Sequence, residues 1–372
     1  MRGVAIGALL FAGCFPALEI QDCYTLGDCP PQRGACRVDP APVRVAPAVE
    51  PAKPAMVWDG ARFVVAWSEG LDLKSNSVAP DGSVDRPGDS LVLDTWEGFV
   101  DAPQPSLVRM GDRVHAAWQR SGATQVVWGP LGGASTVLVT GTELGGPALA
   151  AAGDRLAAAW WDIEGKGGLV VGAQATLELD LAPGLWGVPA LIAQGDQTLH
   201  MSMATPGDTT NELALWTVTL NLQDPTRAVS PSPRTLETPG NPYRSALAWM
   251  GLEPAAAIED GDDVRLAVGP ELSVSAPRNA AGSRAKSPGL AWAADIQALG
   301  LAWAEGPDVA QRIRFALLDK AGAPLGETLD VSTEGNALAP QVAWSGSTWG
   351  VAWYDWVGPN AGVYFAGVNC QP

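Results

Sequence analysis

The chain has 372 residues, 47% of them hydrophobic, and a formal charge of −17. That charge excludes the Lys/Arg footprint that nucleic-acid phosphates require, and it argues against docking on anionic lipid headgroups through charge. The 31 prolines and 43 glycines suit many short strands joined by turns, and 16 tryptophans against six phenylalanines and four tyrosines imply a repeated structural task for the indole ring.

The first elements are an address and a tether. Arg2 is a minimal charged region, residues 4–11 an apolar run, and Ala12-Gly13 a pair of small residues before Cys14. The run is far too short to span a bilayer, so residues 1–13 are expected to be a signal peptide. The stretch LFAGC resembles the lipobox of bacterial lipoproteins, although Phe11 stands where leucine is usual. The resemblance implies acylation of Cys14 and a place in the cell envelope, with the membrane reached through a lipid anchor only. Without acylation the protein would be secreted. Removing Cys14 leaves Cys23, Cys29, Cys36 and Cys370, an even set that three disulfide connectivities could satisfy. Their spacings are not those that zinc prefers, and the chain has only two histidines. Residues 14–42 are expected to form a Cys/Pro-rich tether.

Seven copies of one unit follow. They begin at Pro54 (PAMVWDGARFVVAWSE), Pro105, Pro147, Pro189, Ser245, Pro288 and Pro340 (PQVAWSGSTWGVAWYD), at intervals of 51, 42, 42, 56, 43 and 52 residues. In each, a short apolar strand after the proline leads to a tight turn and a second strand. Asp59-Gly60, Gly111-Asp112, Gly153-Asp154 and Ser345-Gly346 supply the positive φ such turns need. The second strand alternates with period two: Phe63, Val65 and Trp67 share one face, Val64 and Ala66 the other. Two weaker strands complete each unit. A four-stranded sheet with two apolar faces cannot stand alone, so the units must stack.

The last unit stops after its third strand, while residues 43–49 lie ahead of the first proline as a spare fourth strand. The pattern resembles seven-bladed β-propellers closed by strand exchange, without the usual WD-repeat signature, and exported lipoprotein propellers share the architecture. The expected fold is therefore all-β: a seven-bladed β-propeller over 43–372, of four-stranded blades, closed by an N-terminal strand that completes the last blade. In that meander Cys370 falls beside Cys36, which predicts a Cys36–Cys370 bridge and a local Cys23–Cys29 loop, with Cys29–Cys370 as the rival pairing.

Candidate function lies on one rim. Two residues after the second-strand tryptophan position stand Glu69, Asp162, Asp260, Glu305 and Asp355. Such a ring could bind a cation such as Ca²⁺, a basic partner or a sugar, or each acid could cap its own turn. No loop has EF-hand or nonapeptide spacing, and no cofactor is expected. Trp96, Trp161, Trp186, Tyr354 and Trp356 flank the same rim and could stack on sugar rings or pack between loops. His115 and His200 fall inside second strands and are expected to be packed side chains, which leaves little from which to build a nucleophile–histidine pair. The expectation is a monomeric, non-enzymatic binding or scaffolding module for a protein or glycan at the cell surface. The alternative is a carbohydrate-active enzyme using rim carboxylates.

Overall fold

The computed structural model describes residues 36–370 apart from 49–51, 96–103, 121, 123, 165, 173, 181–186, 205–211, 220–233, 241, 270, 333–334 and 357. The signal peptide, Cys14 and the Cys23–Cys29 pair lie outside the described residues, as do Trp96 and Trp186.

Seven antiparallel sheets form the ring. The first four-stranded blade runs through Ala55–Trp58, Phe63–Glu69, Asp72–Val78 and Leu91–Thr95. Five further blades repeat this meander in chain order. The seventh is built from Ala337–Trp344, Trp349–Asp355 and Gly362–Cys370. Its outer edge comes from the other end of the chain, in two pieces. Val43–Pro47 pairs with the start of Gly362–Cys370, and Cys36–Val38 with its end. The ring is thus closed by strand exchange, and its sheet begins at Cys36, ahead of the boundary expected at residue 43. The Cys36–Cys370 disulfide spans 334 residues at that seam.

The blades stack because each second strand is bulky on one side and small on the other. Phe63, Val65 and Trp67 meet Ala343, Ala352 and Phe365 of the seventh blade. Trp349, Val351 and Trp353 meet Ala293, Ala302 and Phe315 of the sixth. Leu299, Leu301 and Trp303 pack on Ala255, Ala257 and Leu266 of the fifth. In these three pairs the large face turns to the preceding blade. Glycine makes room where the fit is closest: a Cβ on Gly300 would lie 2.6 Å from the Trp349 ring. Burying indoles such as Trp67 and Trp353 completely contributes about 3 kcal/mol each at the upper end of side-chain transfer values.

Two local features differ from the sequence expectation. Inner strands do not all start at the repeat proline. In the third, sixth and seventh blades they start three residues earlier, at Leu144, Ala285 and Ala337, and a bulge interrupts the pairing at the proline. Proline cannot donate to a ladder, so it sits where the ladder is already broken. The residue before it takes a positive φ: 31° at Gly146, 54° at Ser287 and 51° at Ala339. The second difference is in the third blade. Trp160, at the second-strand tryptophan position where alternation places a core residue, is only half-buried, and Trp161 fills the core facing the fourth blade with Leu199 and Met201. Gly145 lies across from Trp161, and any Cβ there would overlap the indole.

Register fixes which ends share a rim. In the seventh blade Ala337, Asp355, Gly362 and Pro47 form one row across the sheet, and Trp344, Trp349, Val368 and Val38 form the row at the other end. The expected acids therefore mark the rim where inner strands begin, and the disulfide lies at the opposite rim.

Candidate functional site

The rim acids serve their own blades. Asp162 accepts the Lys166 N–H at 2.8 Å, at the start of the next strand. Asp355 accepts the Asn336 N–H at 3.1 Å, and Asp260 the Gly240 N–H at 3.1 Å, in the turns leading into their inner strands. Asp260 also accepts from Arg265 Nε at 2.7 Å. Glu305 accepts from Trp303 Nε1 at 2.7 Å and the Ala280 N–H at 3.1 Å, and Glu69 pairs with Lys74 at 2.8 Å. Carboxylates are well suited to these orphan backbone donors, and a charge-assisted bond is the stronger kind. The five sit in five different blades, and none of them lines the axial cavity described below. Among the described residues no three His, Cys, Asp or Glu side chains gather as a metal would need.

The aromatic candidates divide. Trp161 and Tyr354 fill interblade space, at 7% and 2% exposure, whereas Trp356 stands 52% exposed beyond Asp355. A second exposed ring, Tyr243 at 60%, lies on the same rim in the unpaired position between Pro242 and Arg244. His115 and His200 are both buried, and burial holds both imidazoles below the ordinary histidine range. His200 stacks on Trp249 with ring centres 5.0 Å apart, and its nitrogens meet Thr217 Oγ1 and Gln194 Oε1.

What converges is the ring axis. A cavity of about 240 Å³ is walled by residues at and just after the repeat start in every inner strand, from Met56, Leu107, Leu149 and Leu191 round to Leu247, Leu290 and Val342. Its polar wall comprises Gln104, Ser106, Arg244, Ser245 and Gln341. Gln104 donates to the Pro54 carbonyl at 3.0 Å and Gln341 to that of Pro340 at 2.9 Å, which holds both amides at the wall. Ser245 Oγ shares a 2.8 Å hydrogen bond with Ser202 Oγ.

Arg244 is the charged member of this wall and was not singled out by the repeat. It pairs across the sheet with Glu259. Glu259 points instead to the next blade, where Oε2 accepts the Ser287 N–H at 2.8 Å. Burial pushes the Glu259 carboxyl above its ordinary range, opposed by the charges of Arg244, Lys286 and Lys53 and by the Ser287 bond. The sequence signal was the residue just before each repeat start: Lys53, Gln104, Gly146, Val188, Arg244, Ser287 and Ala339. That column varies in chemistry while its neighbours repeat.

No family model and no curated protein sequence matches this chain. Solved structures do match in shape. Selenomethionine-substituted virginiamycin B lyase from Staphylococcus aureus is 11% identical, with a TM-score of 0.57 over 90% of this chain and 99% of that one. A catalytically inactive form of that lyase with quinupristin gives 10% identity and a TM-score of 0.55 over the same shares. A Mycobacterium tuberculosis puromycin-hydrolyzing peptidase gives 13% and 0.51, covering 89% of this chain and 50% of that one. At these identities the likeness is one of fold alone, and function must be argued from the site.

Proposed function

We propose that this protein is an exported, envelope-anchored propeller that acts as a non-enzymatic binding module for a protein or glycan, through the rim at which its inner strands begin. One observation carries the reading: all seven inner strands contribute to one axial cavity, and Tyr243 and Trp356 stand exposed on the rim where those strands begin. Concave sites with a few placed polar groups are common ligand sites, and exposed aromatic rings on the same rim supply flat contact area. The export and anchoring part of the proposal rests on the sequence signals from Arg2 to Cys14. The rim acids are bonded within their own blades, which weighs against acid–base work by a pair of them.

The second reading, a carbohydrate-active enzyme, draws on Glu259, whose burial favours the protonated form that a general acid needs. It also needs a second carboxylate at a separation of about 5–10 Å, opposed across a sugar ring.

The test is a glycan array, with cross-linking on intact cells for protein partners, using the full chain and a Tyr243→Ala/Trp356→Ala variant. Both rings are exposed, so trimming them leaves the core intact. Binding that the variant loses supports the reading. Binding that the variant keeps unchanged, or cleavage of a bound glycan, overturns it.

A further inference from the structure

We propose that Arg244 anchors an anion subsite in the mouth of the axial cavity, built to take the carboxylate of a small sugar acid. The inference deepens the binding reading above and rests on it.

Arg244 is 7% exposed, and its buried Nε has no hydrogen-bond partner. Among the described residues no ion pair holds its guanidinium. A buried cation left uncompensated costs several kcal/mol as an order of magnitude, so a fold that only needed to fill this space would gain by an apolar residue. The acid across the sheet, Glu259, is attracted by the Arg244 charge but makes no hydrogen bond with it, because its Oε2 accepts the Ser287 N–H. The two lysines that act on Glu259 differ from Arg244 in place, for Lys286 is paired with Asp308 at 3.1 Å. Within a chain of charge −17, the lining of the axial cavity therefore carries one buried positive group, with an unpartnered Nε.

The chemistry of the wall selects the ligand. A guanidinium presents two parallel N–H donors that match a planar carboxylate. One guanidinium among neutral groups balances a single negative charge, whereas a phosphate dianion would keep an excess. Around Arg244 the polar groups are amides and hydroxyls, those of Gln104, Gln341, Ser106 and Ser245, which suit sugar hydroxyls. A volume of about 240 Å³ is smaller than the roughly 300–1,000 Å³ of drug-sized sites, so it admits one ring or one end group and no longer chain segment. The exposed ring of Tyr243, next in sequence to Arg244, offers a flat face at the mouth.

The experiment is calorimetric titration of the full chain, produced in oxidising conditions, with galacturonate, galactose, inorganic phosphate and a glutamate dipeptide. Galacturonate should bind at least tenfold more tightly than galactose or phosphate. Arg244→Gln should abolish that binding, and Arg244→Lys should weaken it at least tenfold. Arg244→Met in a Glu259→Gln background gives a readout independent of any ligand: with no carboxylate left for it to attract, removing the buried charge should raise the melting temperature, and a fall would show a structural arginine and overturn the proposal. Absent binding of galacturonate, equal binding of galactose, unchanged binding by Arg244→Gln, or preference for phosphate or the dipeptide would each overturn it. Array binding that is lost in Tyr243→Ala/Trp356→Ala but kept in Arg244→Gln would sink the anion subsite and leave the binding face standing. Galacturonate binding with no array or cross-linked partner would do the reverse.

Discussion

Phe63 and Gly350 meet across the seam where the ring closes: a β-carbon on Gly350 would lie 2.6 Å from Cε1 of Phe63. One residue belongs to the second strand of the first blade and the other to that of the last. The seam is thus a packed joint as well as a pairing of strands, and the small faces of the blades are as constrained as the large ones.

Gly350→Ala should therefore destabilise the ring. Overpacking a tight core by one methyl costs about 1–3 kcal/mol. Gly326 is the control, because it is exposed and a methyl group there would meet no other atom within 4 Å. Gly326→Ala should be nearly neutral. Equal melting temperatures for Gly350→Ala and the parent would mean that the seam is loosely packed.

The disulfide should matter in proportion to the loop it closes. With a sequence separation of 334 between Cys36 and Cys370, chain-entropy models put its contribution at about 6 kcal/mol. Cys370→Ser, or reduction of the parent, should lower the denaturant midpoint correspondingly. A loss below about 1 kcal/mol would show that strand pairing alone holds the closure.

Glu259 predicts a pH dependence of defined sign. Its folded carboxyl titrates above the ordinary value of 4.5, so the folded state holds the proton more tightly than the unfolded one. The associated stability is fully present below the unfolded value and is lost as pH rises through the folded one. Glu259→Gln stays neutral and keeps an oxygen for the Ser287 N–H. It should match the parent in melting below pH 4.5 and exceed it at neutral pH and above. A difference that does not change with pH would mean that the carboxyl is not desolvated.

Cys14→Ser should move the protein from the membrane fraction to the soluble one if the lipobox resemblance holds. Continued sedimentation with membranes after the change would rule that anchor out.

The ring, its blade number and its closing strand were legible because a propeller repeats its packing. Trp67, Trp118, Trp303 and Trp353 answer the same demand in four blades, and an alignment of the chain on itself exposes it. The bridge from Cys36 to Cys370 followed from the direction of strands in a meander. Alternation could not decide between Trp160 and Trp161, since both faces of a blade are buried and the choice depends on Gly145 across the sheet. The five rim acids drew notice because they recur, and recurrence marked a backbone need shared by blades. Arg244 went unseen for the complementary reason: a ligand site in a ring of similar units is made by the positions that break the repeat.

The positions of Cys36 and Cys370 on the rim opposite Arg244 also set how the molecule is displayed. A chain held to a surface through residues upstream of Cys36 turns its cavity mouth away from that surface. With 22 residue steps from Cys14 to Cys36, the standoff is at most about 80 Å of extended backbone. An anchor acting through Cys14 would leave the rim of Tyr243 and Trp356 on the side away from the membrane, where a ligand would reach it without entering the gap beneath.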